Sequence, residues 1–242
     1  MPKHQGTGVL VAFEGIDGAG KTTQAALLAS VLEQAKELQR SSKEPTNGSW
    51  GMKIRQSASG ERLDPHDELE AFLKDREEHI KNVIQPSLDD GRIVILDRYY
   101  HSTIAYQGAR GFSIDYLHKL MEAHFLIPDA VFLLDIDPEI SLPRIERRGD
   151  VPNVFERRDS LKEARKLFQA LDDECMIKID GSMSIDAVHN EILRRFIDGP
   201  LKQRRCAKSY GCDDPFHCTF RLTNTCAWVN SAEQIRRTLA VQ

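Results

Sequence analysis

Gly15-Ile16-Asp17-Gly18-Ala19-Gly20-Lys21-Thr22 fits the spacing G-x-x-x-x-G-K-[ST]. That spacing suits phosphate capture. Glycines let successive backbone N–H groups turn inward, and the helix that follows adds the positive end of its dipole. Lys21 then reaches the β- and γ-phosphates of a nucleoside triphosphate, and the Thr22 hydroxyl is a ligand for Mg²⁺. The flanks agree: Val9–Phe13 is apolar, as a buried strand is, and TTQAALLASVLEQA carries apolar residues at helical spacing. Gly15, Asp17, Gly18, Ala19, Gly20, Lys21, Thr22 and Thr23 are therefore the candidate ATP-binding set.

Several elements must position this loop. The helix after it reads from Thr22 to about Gln39, and the polar stretch QRSSKEPTNG leaves little for a second strand. Either that strand is short and at a sheet edge, or the helix ends earlier. Asp64-Pro65 marks the next helix start, an N-cap followed by proline, and the helix runs on through Leu88 with Phe72 and Arg76 one turn apart. Spacing alone reads Phe72 as core and Arg76 as a solvated ion pair. Arg92–Leu96 is a second apolar strand that delivers Asp97 and Arg98 at its carboxyl end, where ligands of open parallel sheets bind. A strand-end salt bridge is the alternative for that pair.

His101–Gly111 reads as a polar connecting segment, Ile114–Phe125 as a helix and Ala130–Ile136 as a third strand. Five arginines between Arg144 and Arg158 flank a segment with Gly149 and Pro152. That is either a solvated helix face or a lid with cationic stems that closes over phosphates. Phe155–Glu174 is helical, Met176–Ile179 is a strand, and Ile185–Phe196 is the last clear amphipathic helix. Strands alternating with helices imply an α/β fold, a doubly wound parallel sheet of about five strands.

Composition narrows the class. The 242-residue chain has 40% hydrophobic and 29% charged residues and a net charge of −4, so no basic footprint for nucleic acid or anionic membrane is evident. No apolar run approaches a membrane span and no signal segment opens the chain, which makes a cytoplasmic protein the expectation. Residues 1–200 read as the nucleotide-binding domain, with the lid at about 144–158, and 201–242 as an extension in which Ser231–Val241 fits one short helix. The extension holds Cys206, Cys212, His217, Cys218 and Cys226, with five, five and seven residues between successive cysteines. Zinc sites generally use closer pairs, so free or packed thiols compete with a zinc site there.

In this order, FEGIDGAGKTTQ (13–24), KEPTNGSWGMKIR (43–55), FLKDREEH (72–79), DRYYHSTIAYQG (97–108) and VFERR (154–158) resemble the thymidylate kinases, P-loop enzymes that phosphorylate dTMP. The resemblance spans most of residues 9–198 and leaves the cysteine-containing extension unmatched. It implies that Asp17 contacts the acceptor's 3′-hydroxyl, that Phe72 stacks on thymine and that Arg76 donates to a base carbonyl, against the reading from spacing. It further implies Tyr106 beneath the deoxyribose, Gln107 on the pyrimidine edge, Arg98 on the acceptor phosphate and Asp97 near Mg²⁺. Arg144 and Arg148 match the lid arginines of bacterial-type members. Here Gly18-Ala19 puts no basic residue at those loop positions, so the resemblance implies that the further catalytic positive charge comes from the lid. Lys43 stands where the family usually has arginine, and a lysine cannot grip phosphate with two parallel hydrogen bonds.

The expected activity is transfer of the ATP γ-phosphoryl group to dTMP, assisted by Mg²⁺, with Lys21, Asp97, Arg98, Arg144 and Arg148 as the catalytic set. A homodimer is implied by the resemblance alone. Two alternatives stay open: a kinase of this fold with another acceptor, such as dUMP, another deoxynucleotide or a nucleoside, and a nucleotide switch without transfer chemistry.

Overall fold

The computed structural model describes residues 8–148, 155, 157–202 and 235. Five strands form one sheet in the order β2-β3-β1-β4-β5: β1 (Val9–Glu14), β2 (Gln39–Lys43), β3 (Ile93–Asp97), β4 (Ala130–Asp135) and β5 (Met176–Asp180). Every pairing is parallel. All six residues of β1 are buried, because it has a strand on each side and helices on both faces. Phe13 of β1 and Phe132 of β4 face each other across the strand pair, ring centroids 5.5 Å apart. The chain runs from β1 to β2 and back to β3 on one side, then crosses β1 to β4 and β5 on the other, so the carboxyl end of β1 lies at the crevice where such sheets bind ligands.

The first helix, α1 (Lys21–Gln34), is shorter than its apolar spacing predicts. The chain turns at Lys36, in the left-handed region at φ 55°, and Leu38, which extends the apparent apolar stripe, is 58% exposed. Room is thereby left for β2, a polar edge strand whose residues are intermediate or exposed. Both readings of this stretch hold together: the strand is at an edge and the helix ends early. Next come α2 (Ser49–Ser59), which the sequence reading does not anticipate, and α3 (Pro65–His79), capped by Asp64 accepting from the His66 amide at 2.9 Å. A π-helical turn (Ile80–Ile84) joins α3 to α4 (Gln85–Asp89), so the single helix expected here is one rod with a bulge.

Tyr100–Gly108 is a helix, α5, not the polar connecting segment that its composition suggests. Its first turn has no capping side chain of its own. Glu14, fully buried at the end of β1, supplies the cap from outside: one carboxylate oxygen accepts from the amides of Tyr99 (2.8 Å) and Ser102 (3.2 Å), the other from the Ser102 hydroxyl (2.5 Å). Helix α6 (Ile114–His124) and helix α7 (Pro138–Arg147) begin at side-chain caps, Ser113 and Asp137. Helix α8 covers Arg158–Ala170, shorter at both ends than the apolar pattern over 155–174, and α9 covers Ile185–Asp198. In the extension, Ile235 is fully buried against the core; its four cysteines and His217 lie outside the described residues, as do 149–154 and 156 of the lid segment.

Glu14→Ala is predicted to lower unfolding stability by about 2–4 kcal/mol, because it strands the buried Tyr99 amide and removes the acceptor of the Ser102 hydroxyl. Urea denaturation reads this as a lower midpoint at unchanged slope; a shift below about 0.5 kcal/mol would show that the cap is dispensable.

Candidate active site

The loop between β1 and α1 is bound by its neighbours into one shape. Gly15 has φ 134° and Gly18 φ 78°, where side-chain-bearing residues are strained. A Cβ on Gly15 would meet the Leu134 carbonyl oxygen at 2.5 Å, and one on Gly18 the Ser141 carbonyl oxygen at 2.6 Å. The loop thus rests directly on β4 and α7. Buried Lys21 donates to the Ile16 carbonyl at 2.8 Å, and the Thr22 hydroxyl donates to Asp97 at 2.5 Å. Hard oxygen donors from Thr22 and Asp97 lie side by side there, the donor set that Mg²⁺ takes.

Asp97 and Arg98 end β3 beside the loop. Arg98 is one of two non-glycine residues with positive φ among the described residues, at 73°. That strained turn aims its guanidinium back at the loop: it donates to Asp17 at 2.6 Å, to the Gly15 carbonyl at 3.2 Å and to Ser102 at 2.9 Å. Tyr106, two turns further along α5, donates its hydroxyl to the other Asp17 oxygen at 3.1 Å, and its ring lies under the Arg98 guanidinium. Burial opposes ionisation of Asp17, but the charges of Arg98 and Lys21 and these hydrogen bonds overcome it and hold the carboxyl at about 2. Burial, and then the Arg98 charge, push Lys21 down to about 8. Burial and the Asp17 charge push the Tyr106 hydroxyl up.

Two cavities meet at this ion pair. The larger is a groove of about 910 Å³ along the loop, reached by Thr23, Lys43, Asp97, Arg144 and Arg148. Arg144 spans it, 3.4 Å from the carbonyl oxygens of Gly18 and Gly181. The smaller, about 180 Å³, is walled by Ile54, Ala58, Phe72, Tyr106 and Phe155. Asp17, Pro45, Arg55 and Arg98 line both. Phe72 therefore faces a cavity and is not core.

Arg76 and Gln107 do not line the smaller cavity; they stand in the buried layer outside it. Arg76, 1% exposed, donates to Glu44 at 2.9 Å and to Thr103 at 2.9 Å, between the rings of Tyr99 and Phe125. The ion pair expected from spacing exists, but it is buried. Gln107 donates to Glu68 at 2.7 Å while its carbonyl oxygen is buried without a hydrogen-bond partner. Helix α3 also holds the Lys43–Thr46 segment: His79 lies 3.0 Å from Glu44, and Asp75 accepts from the Thr46 amide at 2.8 Å and hydroxyl at 2.6 Å.

Sequence reading misses Arg55, Ser102, Glu44 and Phe155 as members of the site. Ser102 was legible, since Arg98, Ser102 and Tyr106 recur every four residues. Arg55 had no such signal, because nothing in the sequence announces α2.

Fold and loop together define a P-loop nucleotide-binding protein of the α/β class. Comparison with known proteins narrows this further. A family model described as thymidylate kinase matches residues 13–192. The thymidylate kinase of Xanthomonas campestris pv. campestris (strain B100) is 49% identical over 183 residues, 75% of this chain and 79% of that protein. That of Xylella fastidiosa (strain M12) is 44% identical over 188 residues, 77% and 85% of the two chains. The chain belongs to the thymidylate kinase family, whose members are ATP-dependent kinases.

Since Lys21 attracts phosphate only as an ammonium, ATP affinity of the free protein should fall as pH rises past about 8. Lys21→Met should abolish that slope; calorimetric titration from neutral to alkaline pH reads both. In the free protein the depressed pKa has the opposite consequence for folding. The unfolded chain binds the extra proton, so stability rises from about 8 toward the ordinary lysine value of 10.5.

Proposed function

We propose that this chain transfers the γ-phosphoryl group of ATP to dTMP, yielding ADP and dTDP. The observation that carries this reading is the shared wall: Asp17 and Arg98 line both the phosphate groove and the smaller apolar cavity. A nucleotide switch needs the groove alone. An apolar pocket walled by Phe72 and Tyr106 and bordered by Arg98 suits a pyrimidine monophosphate.

The donor's phosphates lie on the loop amides, held by Lys21 and by the N-terminus of α1, with Gly15, Gly18, Ala19, Gly20, Thr22 and Thr23 around them. Mg²⁺ held by Thr22 and Asp97 would neutralise charge on the phosphate oxygens. Arg98 binds the acceptor phosphate, and Lys43 and Arg55 line the same groove. Asp17 is ionised across the physiological range and accepts from the acceptor's 3′-hydroxyl. Phe72 and Tyr106 bracket the base and sugar. Gln107, whose buried carbonyl oxygen is unpaired, and Arg76 stand in the layer behind that cavity, and they would meet the base edge only if the cavity opened toward them on binding. Arg144, with Arg148 one turn on, brings positive charge to the transferring group. An acceptor monophosphate is already anionic, so catalysis is mainly alignment and charge stabilisation.

Among the described residues no helix is long and apolar enough to cross a membrane, and a cytoplasmic enzyme is the corresponding proposal. The homodimer rests on family membership, and static light scattering reads it directly.

Turnover compared across dTMP, dUMP, dCMP, UMP and thymidine tests the acceptor. dTMP should be among the best substrates, and a preference for dUMP or thymidine would assign the pocket to a different acceptor. Lys21→Ala should cost at least roughly 10²–10³-fold in rate while the circular dichroism spectrum is unchanged; a near-normal rate would sink the mechanism.

A further inference from the structure

One wall of the smaller cavity comes from the segment between α7 and α8, where Phe155 lies. Its ring stands edge-on to Tyr106, with centroids 5.5 Å apart and planes at 81°. Over the same Phe155 ring sits the Arg62 guanidinium, its central carbon 4.7 Å from the centroid. Arg62 belongs to the connection between α2 and α3, and it lines neither the cavity nor the phosphate groove. Its contact with the site runs through Phe155.

We infer that Arg62 is a positioning residue for the acceptor: forked onto the buried carboxylate of Glu68, it fixes the Phe155 ring as a wall of the acceptor cavity. This rests on the assignment of that cavity to the acceptor under the proposed function. Arg62 donates from Nε to one Glu68 oxygen at 3.1 Å and from Nη2 to the other at 3.2 Å. Two parallel bonds set the plane of the guanidinium as well as its place, which a single contact does not. Glu68 is itself held: it is fully buried, accepts from Gln107 at 2.7 Å and lies 2.8 Å from Arg110. The backbone beside Arg62 is tied down too. The Leu63 carbonyl accepts from Arg110 at 3.0 Å, and the Leu63 amide donates to the Ser57 hydroxyl of α2 at 2.8 Å.

Arg62, Phe155, Tyr106 and Arg98 thus form a row of cation, ring, ring and cation. At one end of the row Arg98 holds Asp17; at the other, Arg62 holds Glu68. Without Arg62 the Phe155 ring loses the cation over it and is seated in a smaller fraction of molecules. Apparent acceptor affinity falls by that fraction. Lys21, Arg98 and Arg144, which bring charge to the phosphates, line the groove and keep their places. The effect therefore belongs to acceptor binding and not to the transfer step.

A competing reading is that Arg62 only neutralises Glu68. Steady-state kinetics of Arg62→Ala, Arg62→Lys, Phe155→Leu and the two double variants separate the readings. They are run on full-length protein at saturating ATP, with the acceptor that wild type uses best. Arg62→Ala should raise the acceptor KM roughly 3–30-fold, the span of a cation–π contact. Its kcat and its KM for ATP should stay within about 2-fold of wild type. Arg62→Lys should not restore the acceptor KM, because it keeps the charge and loses the planar fork. In the Phe155→Leu background either change at Arg62 should add less than about 2-fold. Glu68 retains Arg110 and Gln107 in every variant, and an unchanged circular dichroism spectrum verifies folding. A wild-type acceptor KM in either Arg62 variant, a loss confined to kcat, or an Arg62→Ala effect undiminished by Phe155→Leu would overturn the inference. Absence of wild-type turnover with dTMP counts against the proposed acceptor instead, and the variant ratios are then read on the acceptor found.

Discussion

One ion pair organises this molecule. Arg98 leaves β3 in a left-handed conformation and reaches Asp17 in the loop after β1, 2.6 Å away. The pair joins neighbouring strands at their carboxyl ends and forms the common wall of two cavities. Its cost is a strained backbone and two charges partly withdrawn from water, on the order of 1–3 kcal/mol for the strain alone. Such a cost persists only where surrounding structure fixes it. Here Gly15, Ser102 and Tyr106 each add a hydrogen bond to one member.

Surrounding elements hold that pair by polar contacts made across the sheet. Glu14 ends β1 and caps α5, so the strand that carries the loop also sets the helix that carries Ser102 and Tyr106. On the other side, Asp75, Arg76 and His79 of α3 hold the Lys43–Thr46 segment that borders the groove. Buried carboxylates in both places are fully engaged, which is the condition under which buried charge gives a unique geometry. In this chain the walls of the two cavities rest on three buried acids, Glu14, Glu44 and Glu68, each engaged by hydrogen bonds from neighbouring elements.

Much of this was legible in the sequence, and the failures have physical causes. β1, β3 and β4 are central strands with both faces covered, so their residues are apolar without interruption. β2 is an edge strand, and QRSSK reads as a loop because little of it is buried. Helix α5 hides for the opposite reason. Eight of its nine residues, Tyr100–Gln107, are buried, polar ones included, so no amphipathic period survives. The site itself suppresses the signal that would have revealed its scaffold. Phe72 at helical spacing looked like core, and only its place beside the loop distinguishes a cavity wall from packing. Arg76 shows the converse, since an arginine on a helix reads as solvated until a buried glutamate from another element meets it.

The central claim is that Asp17 and Arg98 act as one unit presented to both substrates. A double-mutant cycle with Asp17→Asn and Arg98→Lys, read in kcat/KM for dTMP at saturating ATP, tests it most directly. If they act as a unit, the double variant loses less than the sum of the single losses, with a coupling energy of about 1–3 kcal/mol. Losses that add within about 0.5 kcal/mol would mean that the two residues serve the substrates independently, and the shared-wall account would fail.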